Sequence, residues 1–181
     1  MQNNWSQDSY IKAYRFAAQA HRAQTVPGTG LPYVMHLSFV CMEVIAALQR
    51  EHEHDGNLAV QCALLHDVIE DTETAYERVQ AEFGDAVANG VLALSKDLTL
   101  AKSLQLADSL NRIQQQPHAV WMVKLADRIT NLQPPPSHWT VEKMVQYREE
   151  AQQIHQALRD ASPFLAARLL EKIDNYQAFI A

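Results

Sequence analysis

Ala63-Leu64-Leu65-His66-Asp67-Val68-Ile69-Glu70-Asp71-Thr72 is an apolar run that carries a histidine and three acids within six positions. It continues a helical pattern and shows no strand alternation, so it predicts the end of a buried helix. On a helix His66 and Glu70 lie four apart, as do Asp67 and Asp71, which makes one contiguous patch of the four side chains. Like charges on adjacent turns repel, and burying each unpaired costs several kcal/mol. A divalent metal is the natural neutraliser.

The helical period extends in both directions from this run. Ile11, Tyr14, Ala18 and His21 recur at threes and fours behind a cap at Ser6 or Asp8, and Pro27-Gly28-Thr29-Gly30-Leu31-Pro32 breaks the pattern into a loop. A second helix is expected over Tyr33 to Leu48, and a third begins behind Asn57 as its cap. Thr74 to Glu77 has capping-box spacing, with Gly84 as the stop. Helices are expected over Asp85–Leu94 and Thr99–Gln115. Another follows Pro117 through Val120-Trp121-Met122-Val123-Lys124-Leu125-Ala126-Asp127, and two more start near Thr140 and Ser162. Neither hairpin signals nor repeats nor a low-complexity linker interrupt the chain. The expectation is all-α, a single domain over residues 1–181 with about eight to ten helices.

Bulk properties narrow the function. With 181 residues the chain can bury roughly 70% of its unfolded surface. A net charge of −6 argues against a nucleic-acid or anionic-membrane binder, so an anionic substrate must be met by a metal and local cations. No run approaches the ~18 apolar residues that cross a bilayer. The polar opening Met1–Asp8 has no signal-peptide pattern. Cys41 and Cys62 read as small core residues in a reducing compartment. A cytoplasmic protein is expected.

His36, the His66-Asp67 pair and Asp127 are the candidate metal ligands. Imidazole suits most transition metals and carboxylate favours harder ions such as Mn²⁺, so two of each make a mixed N/O set that leaves other divalent metals open, and an octahedral ion keeps room for water or a substrate oxygen. Such an ion lowers a water's pKa and polarises a phosphoryl group. Taken alone, His36 fits a structural histidine better than a ligand, and Asp127 fits a simple ion pair as well as it fits a ligand. The His66-Asp67 pair is harder to explain as a solvated face, because Leu64, Leu65, Val68 and Ile69 surround it. Glu70 and Asp71 are then better placed to position the attacking water and take its proton.

The pattern His36…His66-Asp67…Asp127 resembles the signature of HD-domain metal-dependent phosphohydrolases. Three longer stretches narrow the likeness to small alarmone hydrolases, which resemble the hydrolase half of RelA/SpoT-type stringent-response enzymes and their metazoan single-domain relatives. These are Ala20-His21-Arg22-Ala23-Gln24 with Gly30-Leu31-Pro32-Tyr33-Val34-Met35-His36, the Ala63–Thr72 box, and Val123-Lys124-Leu125-Ala126-Asp127-Arg128-Ile129-Thr130-Asn131-Leu132.

The resemblance implies one Mn²⁺ on His36, His66, Asp67 and Asp127, with Glu70 and Asp71 activating water. It places Asn131, Lys102, Lys143 and Tyr147 on the substrate. The implied reaction removes the 3′-pyrophosphate of (p)ppGpp or (pp)pApp and returns the 5′-nucleotide and pyrophosphate. One departure bears on the base. Guanosine-specific relatives carry Arg and Lys where this chain has Thr25-Val26-Pro27-Gly28-Thr29, and Thr cannot replace an arginine's stacking or bidentate phosphate grip.

Two alternatives remain open: a broader HD phosphatase acting on the NADPH 2′-phosphate or a nucleoside monophosphate, and a non-catalytic alarmone-binding module. Cyclic-dinucleotide phosphodiesterases fit less well, since Val68-Ile69 follows the pair where they have Gly and Lys. His52 and His54 read as a solvated turn, and His21 reads equally well as a core histidine or as a support of the site. His118, His138 and His155 have no partner pattern. Trp5, Trp121 and Trp139 read as core or rim.

Overall fold

A computed structural model of the chain describes residues 4–180. The first residues of the polar opening, 1–3, lie outside that range. Among the described residues ten α-helices follow one another: α1 Gln7–Ala20, α2 Val34–Leu48, α3 Gly56–Leu65, α4 Val68–Asp71, α5 Tyr76–Phe83, α6 Asp85–Leu94, α7 Lys102–Ile113, α8 His118–Asn131, α9 Val141–Leu158 and α10 Pro163–Tyr176. Among the described residues there is no strand, only an isolated bridge between Thr25 and Pro32. None of these helices is long and apolar enough to cross a membrane.

Helix α3 is the hub. All but two of its residues are buried, and it packs against α1, α2, α6 and α8. Apolar residues all round a helix suit that central position. Gly90 on α6 shows how close the approach is, because a Cβ there would lie 2.8 Å from Cys62 Sγ and 3.0 Å from Val120 Cγ2. Cys41 and Cys62 are buried free thiols, and burial pushes the Cys41 thiol up to about 12.

Several helix ends follow from the residues expected to set them. Ser6, not Asp8, caps α1; Thr140 caps α9, and Ser162 caps α10 with Pro163 behind it. Gly84 ends α5 with φ 84°, a left-handed conformation that glycine adopts freely. Three boundaries differ. Asp55 caps α3 through the Leu58 amide, while Asn57 accepts the Ser6 amide at 2.8 Å and ties α1 to α3. Helix α5 starts behind Ala75 with no side-chain cap, because the Thr72 hydroxyl takes up Thr74 at its amide and hydroxyl. Helix α7 begins at Lys102 instead of Thr99, because Asp97 captures the Thr99 amide and hydroxyl in a local turn that competes with helix.

Candidate active site: a histidine–carboxylate cluster beside a cationic cleft

His36 stands in the first turn of α2, His66 and Asp67 occupy the break between α3 and α4, and Asp127 lies near the end of α8. Ligand atoms of His36, His66 and Asp67 lie within 4.8 Å of one another. His66 Nε2 is 3.0 Å from Asp67 Oδ2, and His36 Nε2 is 3.7 Å from the same oxygen. Asp127 Oδ1 closes the set at 3.4 Å from His36 Nε2 and 3.8 Å from His66 Nε2. Metal–nitrogen and metal–oxygen bonds near 2.1 Å put adjacent ligand atoms about 3 Å apart, a spacing that His36, His66 and Asp67 approach, with Asp127 flanking the two histidines.

Hydrogen bonding prepares the cluster for a cation. His66 Nδ1 donates to the Ala63 carbonyl at 2.9 Å, which leaves Nε2 as a bare lone pair. That buried Nε2 makes no hydrogen bond. A lone pair among carboxylates is repulsive unless a positive charge sits between them, and this orphaned atom is the feature a divalent metal satisfies. Without a metal, a proton takes the same role. Burial opposes the imidazolium, but the Asp67 and Asp127 carboxylates outweigh it and push His66 up to about 9. Burial likewise opposes ionised Asp67, and His66 with the Tyr33 hydroxyl outweighs it, holding the carboxyl down to about 2. Asp127 is also buried against its charge, yet Lys124 and the two histidines hold it well below the usual carboxylate range.

The acids of α4 do not extend a single patch on one continuous helix. Helix α3 stops at Leu65 and helix resumes at Val68, so the four-residue spacing from His66 to Glu70 does not carry across. Each acid has recruited its own donor instead. Glu70 is held by Lys96 through both the amide and the ammonium. Asp71 accepts the Gln24 side-chain amide at 3.0 Å, and Gln24 is itself 2.6 Å from His21 Nδ1. His21 thus belongs to the support of Asp71, although its buried Nε2 lacks a partner.

Asp127 also forms part of a cleft of about 270 Å³, and the four residues expected on the substrate, Lys102, Asn131, Lys143 and Tyr147, all line it. Lys96, Lys124 and Arg128 join them, giving five cations against Asp127 and Glu150. Asn131 donates to Asp127 Oδ1 at 2.6 Å and Lys124 to Oδ2 at 3.2 Å, so the cleft and the cluster share one carboxylate. Trp139 and Tyr147 meet edge to face at 5.0 Å, with Arg128 4.3 Å over Tyr147 and Lys143 5.5 Å over Trp139. Trp139 is accordingly at the rim. A wider depression of about 840 Å³ lies between Gln19–Gln24 and Asp71–Arg78, but it touches none of the four clustered ligands. The smaller cleft holds the denser cluster of cations.

Tyr33, Lys96 and Lys124 were not assigned roles from the sequence. Tyr33 had a local signal, standing one helical turn before His36, and Lys124 stands one turn before Asp127. Lys96 had none, because its link to Glu70 joins residues 26 positions apart. The loop after Gln24 is tied to itself, Val26 N–H donating to the Leu31 carbonyl and the Thr29 hydroxyl to the Val26 carbonyl. It presents no cation.

An HD domain model matches residues 13–164. The guanosine-3′,5′-bis(diphosphate) 3′-pyrophosphohydrolase MESH1 of Danio rerio is 30% identical over 164 residues, 88% of this chain and 89% of its own length. The Homo sapiens protein of that name is 32% identical over 157 residues, covering 82% and 84%. A solved structure described as a metazoan ortholog of SpoT that hydrolyses ppGpp superposes with a TM-score of 0.81 at 27% identity, covering 98% of this chain and 99% of that one. The chain belongs to the HD-domain family, among the relatives of the MESH1-type guanosine-3′,5′-bis(diphosphate) 3′-pyrophosphohydrolases.

Proposed function

We propose that this protein is a Mn²⁺-dependent hydrolase that removes the 3′-pyrophosphate from (p)ppGpp or (pp)pApp. The observation that carries the reading is the shared carboxylate. Asp127 belongs at once to the His36–His66–Asp67 cluster and to a cleft lined by five cations. A phosphoryl group held in that cleft is thereby presented to the cluster.

His36, His66, Asp67 and Asp127 hold the ion, which when bound supplies Lewis acidity toward the phosphoryl oxygens and toward the attacking water. Glu70 and Asp71 orient that water and accept its proton. Water oxygen forms a bond to the phosphorus attached to O3′, the bond from that phosphorus to O3′ breaks, and the ribose oxygen leaves with a proton. Lys102 and Lys143 neutralise phosphate charge, Asn131 orients the sugar or phosphate, and Tyr147 contacts the substrate from the cleft wall. The absence of a cation at Thr25–Thr29 favours adenosine alarmones as substrates alongside guanosine ones.

The test is a Mn²⁺-dependent panel with ppGpp, pppApp, NADPH and nucleoside monophosphates. Pyrophosphate released only from the 3′-pyrophosphorylated nucleotides is expected. Orthophosphate from NADPH or the monophosphates identifies a broader phosphatase, and binding without turnover identifies a sensor.

A further inference from the structure

Glu70 is held twice by one residue. The Lys96 amide donates to Oε2 at 2.8 Å and its ammonium to Oε1 at 2.5 Å, so both oxygens are fixed by the same point of the chain. That point is itself locked. Arg112 donates to the Leu92 and Ala93 carbonyls and, at 2.7 Å, to the Ser95 carbonyl, while Asp108 holds the same guanidinium at 2.8 Å. The last carbonyls of α6 are thereby tied to α7, and Lys96 follows directly. A cation just past a helix C-terminus also suits the helix dipole.

Lys96 borders the cleft that contains Asp127, but its ammonium is committed to Glu70 and not to an anion in the cleft. Burial works against its charge, but the Glu70 carboxylate outweighs that and holds the ammonium above its ordinary value. Each carboxylate oxygen has two lone pairs, so the grip leaves one on each to receive a proton. A glutamate side chain otherwise turns freely about three bonds, and a misplacement of about 1 Å costs about a hundredfold in rate.

We propose that Lys96 is the positioning residue for Glu70, fixing the carboxylate's orientation beside the cleft and so setting turnover rather than substrate affinity. This rests on Glu70 handling the proton of the attacking water. Nothing in the local sequence around Asp71 identifies Lys96, which the fold alone brings to Glu70.

The test uses the Mn²⁺-loaded full chain with ppGpp and four variants: Lys96→Met, Lys96→Arg, Glu70→Gln and the Lys96→Met/Glu70→Gln double. Metal content and circular dichroism establish that each is loaded and folded. Lys96→Met is expected to lower kcat by about ten- to a hundredfold with KM little changed. Lys96→Arg, which keeps charge and donors, restores part of the rate, and the double variant is no slower than Glu70→Gln. A raised KM at unchanged kcat, losses that multiply in the double, or an unimpaired Lys96→Met overturns the role of Lys96. If Glu70→Gln alone is fully active, the failure lies in the reading of Glu70. An impaired Glu70→Gln beside an unimpaired Lys96→Met removes only the inference about Lys96.

Discussion

The Tyr33 hydroxyl donates to Asp67 Oδ2 at 2.6 Å, the same oxygen that faces both His36 and His66. This bond fixes the rotamer of the acid on which both histidines converge. Outer hydrogen bonds of this kind are commonly worth ten- to a hundredfold in metal affinity. Tyr33→Phe is therefore expected to weaken Mn²⁺ binding by about tenfold while leaving the fold intact. Competition against a fluorescent chelator measures it, and unchanged affinity would show that Asp67 needs no such brace.

Metal binding should depend on pH with a definite sign. In the metal-free protein His66 is pushed up to about 9 from 6.5. Its protonated form therefore stabilises the fold fully below about 6.5, and that contribution is lost as pH rises through about 9. A cation requires the neutral imidazole, so binding must expel this proton. Affinity is expected to rise between these limits, with about one proton released per ion near neutrality. Calorimetry in buffers of different ionisation enthalpy reads both, and an affinity independent of pH across this window would count against His66 as a ligand.

Asp67 and Glu70 are expected to fail differently. Asp67→Ala removes a member of the cluster and should abolish stoichiometric metal binding together with activity. Glu70→Gln should bind metal normally and lose about 10²- to 10⁴-fold in kcat, the range for a missing acid/base group. Inductively coupled plasma analysis beside steady-state kinetics separates the two losses, and equal activity in both variants would refute the assigned roles.

Substrate charge should be felt in the cleft. Lys143 borders it and stands over the Trp139 ring. Lys143→Met is expected to raise KM for ppGpp with a smaller effect on kcat, and the difference from wild type should shrink in high salt as screening grows. A pure kcat defect would move Lys143 from substrate binding to the chemical step.

At Gly90 two effects oppose each other. Alanine gains about 1 kcal/mol in helix propensity, but its Cβ would collide with the fully buried Cys62 thiol and with the stiff Val120 side chain. Overpacking costs about 1–3 kcal/mol, so the collision wins. Gly90→Ala is expected to lower Tm by about 2–4 °C for each kcal/mol of net loss. Differential scanning calorimetry decides the sign.

Helix content was legible because Leu64, Leu65, Val68 and their neighbours carry apolar periodicity, and period survives any tertiary arrangement. Capping was less legible. Asn57 looks like a cap by residue type, yet Ser6 from 51 positions away claims its side chain, and Asp55 caps in its place. The same distinction governs the site. His36, His66, Asp67 and Asp127 each stand inside a motif, and the fold brings them together. Lys96 and Gln24 act across the fold on Glu70 and Asp71, and pairings between distant segments leave no trace in local pattern. The separation of these two acids from His66 was equally hidden, because it follows from the interruption between Leu65 and Val68.

That interruption has a consequence for how the protein can vary. Consecutive residues of an unbroken helix diverge by about 100°, yet His66 and Asp67 reach toward a common centre because the chain turns between them. Their spacing is fixed by a peptide bond, so loops elsewhere can lengthen without pulling them apart. Adding or deleting one residue within α3 would instead swing the pair a quarter turn away from His36 and Asp127, dismantling the centre while all four of its side chains remain in the chain.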